Sequence, residues 1–314
     1  MTTVDTTPDT TPRELPSENA RMHAASHGKG GVHLVRIDRD GPVHHITDYT
    51  VSSAIRGDLD RIYTHGDNST CVATDTQKNI TFSLARDGVG TPEEFALKFG
   101  RFMFSEWPEI VTGGRWEVKK VDWDRIVGDH GPHDHSFVRS GKEERYAVVQ
   151  AEGKDFHIVS GLKELTVLKS SGSSFVGYPK GTYTTLAETT DRIMSTDVSA
   201  WWEYNTLEAD FDAIFDSVRH IILTEFAERF SMALQNTMWA ISSRIIDTHP
   251  EIDTVRLQCP NNHHFVVDLS PFGQDNPNVV FYAADRPFGD ITSEVVRTGT
   301  TPTPAAWTTI PSFT

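Results

Sequence analysis

The chain has 314 residues, of which 37% are hydrophobic and 23% charged, so it can bury a large core and has the composition of a soluble globular protein. Its net charge of -15 argues against a general nucleic-acid binder, whose surface would be basic. We see no apolar run long enough to cross a membrane, no secretory segment and no peroxisomal Ser-Lys-Leu ending, and we therefore expect a cytoplasmic protein without a membrane partner. Cys71 and Cys259 are too far apart for a disulfide framework.

The first half of the chain follows a Thr- and Pro-rich stretch at its start, which we expect to be disordered. Its alternating apolar residues predict strands at 32–38, 43–53, 69–75, 79–85 and 116–126. Before the last of these, Thr91 suits a helix N-cap, Pro92 suits the first helical position, and Glu94 can complete a capping box. Apolar residues then share one helical face, at Phe95, Phe99, Phe102 and Met103.

The second half repeats this order of elements. Strands are predicted at 145–151, 156–158, 165–168, 254–258, 265–269, 279–283 and 291–297. A helical region begins at Asp210 or Asp212, is interrupted at Phe230-Ser231 and ends before Pro250. Helices that alternate with antiparallel hairpins predict an α+β fold with the helices on one face of the sheets.

The repeated order also suggests a division of the chain into two domains. We expect a disordered tail at residues 1–22, a first domain at 23–140, a second domain at 141–300 and a loop segment at 301–314.

The stretch 165–198 combines a strand with a loop rich in Gly, Ser and Thr. Within the loop lie one isolated ring, Phe175, and one isolated cation, Arg192. An aromatic face and a guanidinium can together hold a flat, anionic ring. The alternative is structural: Phe175 fills the core, and Arg192 pairs with Asp191 or Glu188.

The sequence of this stretch closely resembles the central signature of the urate oxidase (uricase) family. The resemblance lies in GLKELTVLKSSGSSFVGYP followed by YTTLAETTDRIMSTDV. Further stretches resemble family elements in the same order: HGKG at 27–30, DNS and VATDTQKN within 67–79, ALQNTM at 233–238 and PNNHHF at 260–265. With GQDNPNVVFYAADRPFG, the resemblance extends from about residue 27 towards the C-terminus.

The resemblance implies the tunnelling fold (T-fold), with two tandem domains per chain. It also implies a homotetramer that forms a barrel, with active sites at subunit interfaces where Lys29 and Thr74 of one chain face residues of a neighbour. The implied substrates are urate and dioxygen, and the implied products are 5-hydroxyisourate and hydrogen peroxide. Neither a metal nor an organic cofactor is implied.

The implied proton relay is Lys29, Thr74 and His263, and Thr74 and Asn261 are implied to hold dioxygen or water. The implied substrate contacts are Thr74, Asp75, Phe175, Leu186, Arg192, Leu234, Gln235 and Asn261.

These residue types suit the oxidation of a purine anion. The guanidinium of Arg192 can donate two parallel N–H bonds, and the amide of Gln235 offers one donor and one acceptor. A hydroxyl between an amine and an imidazole can pass a proton, because it both accepts and donates. Structural explanations remain open at these positions: Thr74 and Asp75 can end a strand, and Lys29 can be a solvated loop cation. Gln235 can lie on an exposed helix face.

A second cluster suggests different chemistry. His130, His133 and His135 stand close to Asp129 and Asp134, and such residues bind zinc or iron. A metal-dependent hydrolase or oxygenase is therefore an alternative, although no HExxH helix supports it and a structural turn at a subunit contact is favoured. Two further alternatives are a tunnelling-fold enzyme that acts on pterins or related rings and a purine-binding protein without turnover.

Overall fold

The computed structural model describes residues 11–15, 17–139, 141–308 and 310. Its strands are β1 (His27–Asp38), β2 (His45–Gly57), β3 (Val111–Val121), β4 (Trp123–Gly128), β5 (Gly131–Arg139), β6 (Glu144–Glu152), β7 (Asp155–Lys169), β8 (Met194–Tyr204), β9 (Ile252–Gln258), β10 (Asn261–Val266), β11 (Phe281–Gly289) and β12 (Thr292–Val296). Its helices are α1 (Asp60–His65), α2 (Thr74–Arg86), α3 (Pro92–Glu106), α4 (Phe211–Glu228), α5 (Leu234–Thr248) and α6 (Pro304–Trp307).

Ten strands of the described part form one antiparallel sheet in the order β1-β2-β3-β6-β7-β8-β10-β11. The strand β9 pairs with another part of β8 and carries β12 on its outer side, while β4 and β5 form a separate hairpin. The predicted α+β class with antiparallel strands is confirmed. The pairing of β3 with β6 makes the sheet continuous across residue 140, and the division into two domains at that point stays a prediction.

Both faces of the middle of the sheet are covered. Adjacent residues of a strand point to opposite faces, and the helices α2 to α5 pack on the face that holds Val149, Ile158 and Trp202. The opposite face contributes Val148, Val159 and Trp201, which pack against Ala306, Trp307 and Ile310. The long helices therefore lie on one face, as predicted. The C-terminal segment, expected to be a loop, contains the short helix α6 on the other face.

Several local predictions are confirmed by hydrogen bonds. The Thr91 hydroxyl accepts from the Glu94 amide at 3.2 Å, and the Glu94 carboxylate accepts from the Thr91 amide at 2.8 Å, so the capping box forms. Of the two candidates for the N-cap of α4, Asp210 takes the role and accepts from the Ala213 amide. The break between α4 and α5 and the end of α5 before Pro250 also match.

The strands predicted at 69–75 and 79–85 are wrong, because α2 occupies residues 74–86. Its buried residues Gln77, Ile80, Thr81 and Ala85 follow helical spacing. The buried Gln77 side chain accepts from the Ser53 hydroxyl of β2 at 2.8 Å, which fixes the helix to the sheet. The β-branched residues of this stretch favoured a strand by propensity alone, and the tertiary contact overrides that preference.

Residues 1–10 and 16 of the predicted disordered tail, and residues 309 and 311–314 of the C-terminal segment, lie outside the described residues. The amides of Arg13 and Leu15 donate to carbonyls of α1, at His65 and Thr64. Among the helices of the described residues, none has the length and apolar character needed to cross a membrane.

A buried ion pair joins the two halves of the chain. Arg145 of β6 is 4% exposed and donates at 2.8 Å to Glu93 of α3, which is fully buried, and at 2.5 Å to Asp212 of α4. The Ser160 hydroxyl of β7 donates to the second oxygen of Glu93, and the guanidinium lies 4.4 Å from the centre of the Phe215 ring. Burial raises the pKa of the Glu93 carboxyl. The pKa of Arg145 is also raised, because the carboxylates of Glu93 and Asp212 outweigh the opposite effect of burial.

We expect Arg145→Met to lower the free energy of unfolding by ~3–5 kcal/mol, because it leaves the Glu93 carboxylate buried without its cation. The control is Arg219→Met, which removes a pair with Glu143 at the surface and is expected to cost about 1 kcal/mol or less. Urea unfolding followed by circular dichroism measures both. Similar losses in the two variants would contradict the importance of the buried pair.

Candidate active site

An open cavity of about 720 Å³ lies between the loop that joins β7 to β8 and the hairpin of β10 and β11. Its walls include Phe175, Leu186, Arg192, His263, Phe265 and Phe281. Four of these are residues that the sequence predicted for the site, from two separate stretches of the chain. The structure therefore brings the ring, the guanidinium and the imidazole to one place.

The loop between β7 and β8 folds back on itself. The Asp191 carboxylate accepts from the Ser171 hydroxyl at 2.6 Å and the Gly172 amide at 2.8 Å, which closes the base of the loop. Further along, the backbones of Phe175 and Thr189 exchange two hydrogen bonds, of 2.8 and 3.1 Å. These bonds hold Phe175 close to Arg192, although 17 positions separate them in the sequence.

The guanidinium carbon of Arg192 lies 5.2 Å from the centre of the Phe175 ring. Its Nε is buried and has no hydrogen-bond partner among the described residues. Burial lowers the pKa of Arg192, which still stays charged near neutral pH. Of the neighbouring carboxylates, Asp191 closes the loop base, and Glu188 accepts from the Gly177 amide and pairs with Lys180.

The structural interpretation of Arg192, as the partner of Asp191 or Glu188, is therefore wrong. Among the described residues, no carboxylate forms a salt bridge with its guanidinium. Its donors remain available to an anion in the cavity.

His263 enters the cavity from β10. In the described part of the chain, one residue pair, Asn261 with Thr196, joins β10 directly to β8. The side-chain amide of Asn262 also donates to the Asp197 carboxylate at 2.8 Å. Burial lowers the pKa of His263 below its ordinary value of 6.5, and the nearby Arg192 and His264 lower it further. The imidazole is therefore neutral near pH 7 and can accept a proton.

Lys29 lies on β1, at the opposite edge of the sheet. Two glycines shape this part of the strand. A Cβ on Gly28 would meet the Ser53 carbonyl oxygen at 1.7 Å, so only glycine fits there. Gly31 has a φ of 68°, which glycine adopts freely, and it lies in a bulge between Lys29 and Val32. The interpretation of Lys29 as a loop cation is wrong, since it belongs to a strand.

Thr74 and Asp75 begin α2, so the interpretation that they end a strand is also wrong. The residue before them, Ala73, provides no side-chain cap, and the amide groups of the first turn can bind an anion. Asp75 forms a hydrogen bond with Lys78, and that bond, together with the charges of Lys78 and Lys29, lowers its pKa. The helix α2 packs against β1, so its first turn lies near Lys29.

The two sets of residues do not meet within one chain. Six strand spacings separate β1 from β10, and at about 4.8 Å each they amount to roughly 29 Å along the sheet. Lys29, Thr74 and Asp75 therefore cannot reach a ligand that lies against Phe175, Arg192 and His263 of the same molecule.

Leu234 and Gln235 open α5, close to the loop. The Ser231 carbonyl accepts from the Ser174 amide at 2.8 Å, which ties the start of the helix to the residue before Phe175. Gln235 is exposed, as the structural interpretation also expects, whereas Leu234 is 2% exposed and packs in the core. Neither lines the cavity, and their roles as substrate contacts stay predictions.

The sequence did not single out several walls of the cavity. Phe265 and Phe281 come from β10 and β11, and His264 follows His263. The imidazole of His264 could have been predicted from its place next to His263. The two phenylalanines could have been found only by pairing β10 with β11, and the boundaries of these strands were predicted poorly.

The His-rich stretch was predicted as a turn, but only Asp129 and His130 form the turn between β4 and β5, and residues 131–135 belong to β5. The rings of His133 and His135 lie 4.5 Å apart, and that of His44 lies 5.7 Å from His135. The Arg125 guanidinium donates to the backbone carbonyl of Asp134 at 2.7 Å, which stabilises the hairpin. No group of three or more potential ligands in the described part of the chain is arranged to hold a metal ion, so the structure does not support the metal interpretation.

Comparisons with known proteins agree with the resemblance. The family model described as Uricase matches residues 25–150 and 158–292. The uricase of Arthrobacter globiformis is 51% identical over 91% of this chain and 93% of its own length. That of Schizosaccharomyces pombe is 38% identical over 81% and 90%. The crystal structure of uricase from Arthrobacter globiformis has a TM-score of 0.89, with 92% of this chain and 99% of that chain covered at 49% identity. The chain therefore shares the fold of these enzymes.

We expect Arg192→Gln to raise the pKa of His263 in the free protein, because it removes a positive charge that opposes protonation. Proton NMR of histidine-labelled protein gives this pKa, with the signal assigned by a His263→Asn variant. Lys180→Gln, which removes a cation elsewhere on the same loop, is the control and should leave the value unchanged. An equal pKa in wild type and Arg192→Gln would contradict the coupling.

Proposed function

The chain belongs to the uricase family and is a urate oxidase, and we propose that it converts urate, dioxygen and water to 5-hydroxyisourate and hydrogen peroxide without a metal or organic cofactor. The observation that carries this proposal is the cavity in which Arg192 stands beside Phe175 with no carboxylate partner among the described residues. A flat anion would supply the missing acceptors. Family membership does not favour a pterin-ring enzyme or a binding protein without turnover.

In this proposal, one half of the site holds the ring. Urate stacks on Phe175 and accepts two N–H bonds from Arg192, whose fork also favours the anionic form. Gln235 reads an N–H/C=O edge, and Leu186 forms an apolar wall. Leu234 is buried in the core, and its contact with the ring stays a prediction. Support comes from the partly buried guanidinium, since a charge in a less polar setting interacts more strongly with an anion.

Proton transfer uses residues of both sets. Lys29 and Thr74 from the first set and His263 from the cavity form the relay, in which the hydroxyl passes a proton between the amine and the imidazole. Urate loses two electrons to dioxygen, water supplies the hydroxyl group of the product, and the released protons complete hydrogen peroxide. The lowered pKa of His263 supports its role as acceptor. The Asp75 amide contacts the substrate, and Asn261 and Thr74 hold dioxygen or water.

We further propose that the two halves come from different chains of a homotetramer. The separation of β1 from β10 supports this, since a complete site within one chain is out of reach. Within the described residues, β1 and β11 at the two ends of the main strand order, and β12 beside β9, carry no further strand on their outer sides. Such edges favour pairing with another chain. Two tunnelling-fold domains per chain, at residues 23–140 and 141–300, would then close a barrel.

Exposed apolar side chains on β1, β10 and β11 also support assembly, because burying them against another chain is favourable. They are Val35 and Ile37 on β1, and Phe265, Val266, Tyr282 and Phe288 on β10 and β11.

Metal-stripped protein mixed with urate in air should consume urate and release hydrogen peroxide in equal amounts, because urate itself supplies the electrons. Absorbance of urate and a peroxidase-coupled dye measure the two. Addition of EDTA should leave the rate unchanged. Loss of activity on chelation, restored by a metal ion, would overturn the cofactor-free mechanism, and absence of turnover would overturn the proposed reaction.

Hybrid tetramers test the shared site. We expect Lys29→Met and Arg192→Gln each to lose most turnover alone, and equal co-expression of the two to restore about one quarter of the wild-type activity. If each site takes its two halves from different chains, random assembly gives both an intact Lys29 half and an intact Arg192 half in about one site in four. Affinity tags of two kinds isolate the hybrids.

The matched control pairs Lys29→Met with Thr74→Ala. These residues lie in the same half, so every chain of the mixture carries a damaged Lys29/Thr74 half, and activity should stay low. Hybrids of Lys29→Met and Arg192→Gln that are as inactive as this control would contradict the shared site.

A further inference from the structure

The outer side of the Phe175 ring is covered by a second ring. Tyr178 stacks on Phe175 with ring centroids 4.8 Å apart and an angle of 14° between the planes. Phe175 lines the cavity, whereas Tyr178 is absent from its walls as far as the described residues show. Tyr178 therefore lies behind Phe175, on the face turned away from the cavity. Phe175 still contributes to the cavity wall, beside the Arg192 guanidinium, whose carbon lies 5.2 Å from the ring centre.

The hydroxyl of Tyr178 reaches a second wall. It donates to the backbone carbonyl of Leu186 at 2.5 Å, and the Leu186 side chain lines the cavity. Leu186 is 54% exposed, so few packing contacts of its own hold it in place. One side chain thus supports both the aromatic and the aliphatic wall.

Tyr178 is itself held from outside. The Lys180 ammonium lies 5.7 Å from the centre of the Tyr178 ring and pairs with Glu188 at 3.3 Å. Glu188 in turn accepts from the Gly177 amide, next to Tyr178 in the chain. These contacts fix the position of the tyrosine relative to both arms of the loop.

We propose that Tyr178 is a positioning residue for urate binding, which sets the plane of Phe175 and the place of Leu186 before the substrate arrives. This inference rests on the proposed function of the cavity. A wall that is already ordered loses less conformational entropy when a ligand binds, so the same contacts give tighter binding. The effect concerns binding of the ring and not the chemical step, since Tyr178 does not touch the substrate.

The test compares Tyr178→Leu, which removes both the stack and the hydroxyl, with Tyr178→Phe, which keeps the stack. Anaerobic titration with urate gives the dissociation constant without turnover, and steady-state rates in air give KM and kcat. We expect Tyr178→Leu to weaken binding and raise KM roughly 3- to 10-fold, the value of one aromatic pair, with kcat nearly unchanged. Tyr178→Phe should recover most of the affinity.

The matched control is Tyr183→Leu, which changes a tyrosine of the same loop that is 95% exposed, and it should match wild type. A dissociation constant for Tyr178→Leu equal to that of wild type would overturn the inference. So would a joint fall in kcat and in the thermal unfolding midpoint, which would show a structural role for the loop. Wild-type protein that neither binds nor oxidises urate would instead overturn the proposed function, so the two failures are distinguishable.

Discussion

The geometry of the continuous antiparallel sheet constrains everything else in this molecule. Hydrogen bonds between strands hold neighbours at about 4.8 Å, so residues on β1 and β10 stay roughly 29 Å apart along the sheet whatever their side chains do. Lys29 therefore lies at one end of the sheet and the cavity at Arg192 at the other. The proposed reaction needs both sets of residues, and the proposed homotetramer would bring the set of one chain to that of a neighbour.

Local carboxylates decide whether the cavity can bind an anion. An arginine next to an aspartate in sequence would ordinarily be neutralised, but Asp191 is bonded to Ser171 and Gly172 and so closes the base of the loop. Glu188 is similarly engaged by Gly177 and Lys180. The loop thus uses its own anions for structure, and the guanidinium of Arg192 stays available although the protein as a whole carries a charge of -15.

The buried pair of Arg145 and Glu93 holds the scaffold on which this site depends. It links a helix of the first half of the chain to a strand of the second half, and Arg145 and Glu93 are both buried, while the exposed Asp212 extends the link to a helix of the second half. A buried ion pair contributes little net stability compared with apolar packing, but removing one partner is costly because the other charge stays buried without a counter-ion. Its value here is in fixing how α3 and α4 sit on the same face of the sheet.

Much of this was visible in the sequence. Apolar alternation predicted most strands of the sheet, the capping box predicted the start of α3, and the loop around Phe175 and Arg192 carried the resemblance that led to the family. These features are local, because a cap, a turn or a motif is formed by residues close in the chain. The prediction failed at α2, where the contact of Gln77 with Ser53 overrides β propensity. In the His-rich hairpin the turn is shorter than predicted, because β5 already begins at Gly131.

Only the tertiary structure decided that Arg192 is free of Asp191, that Tyr178 lies behind Phe175, and that Lys29 is at the far edge of the sheet from His263. Each depends on contacts or separations between residues distant in sequence, which no local pattern encodes.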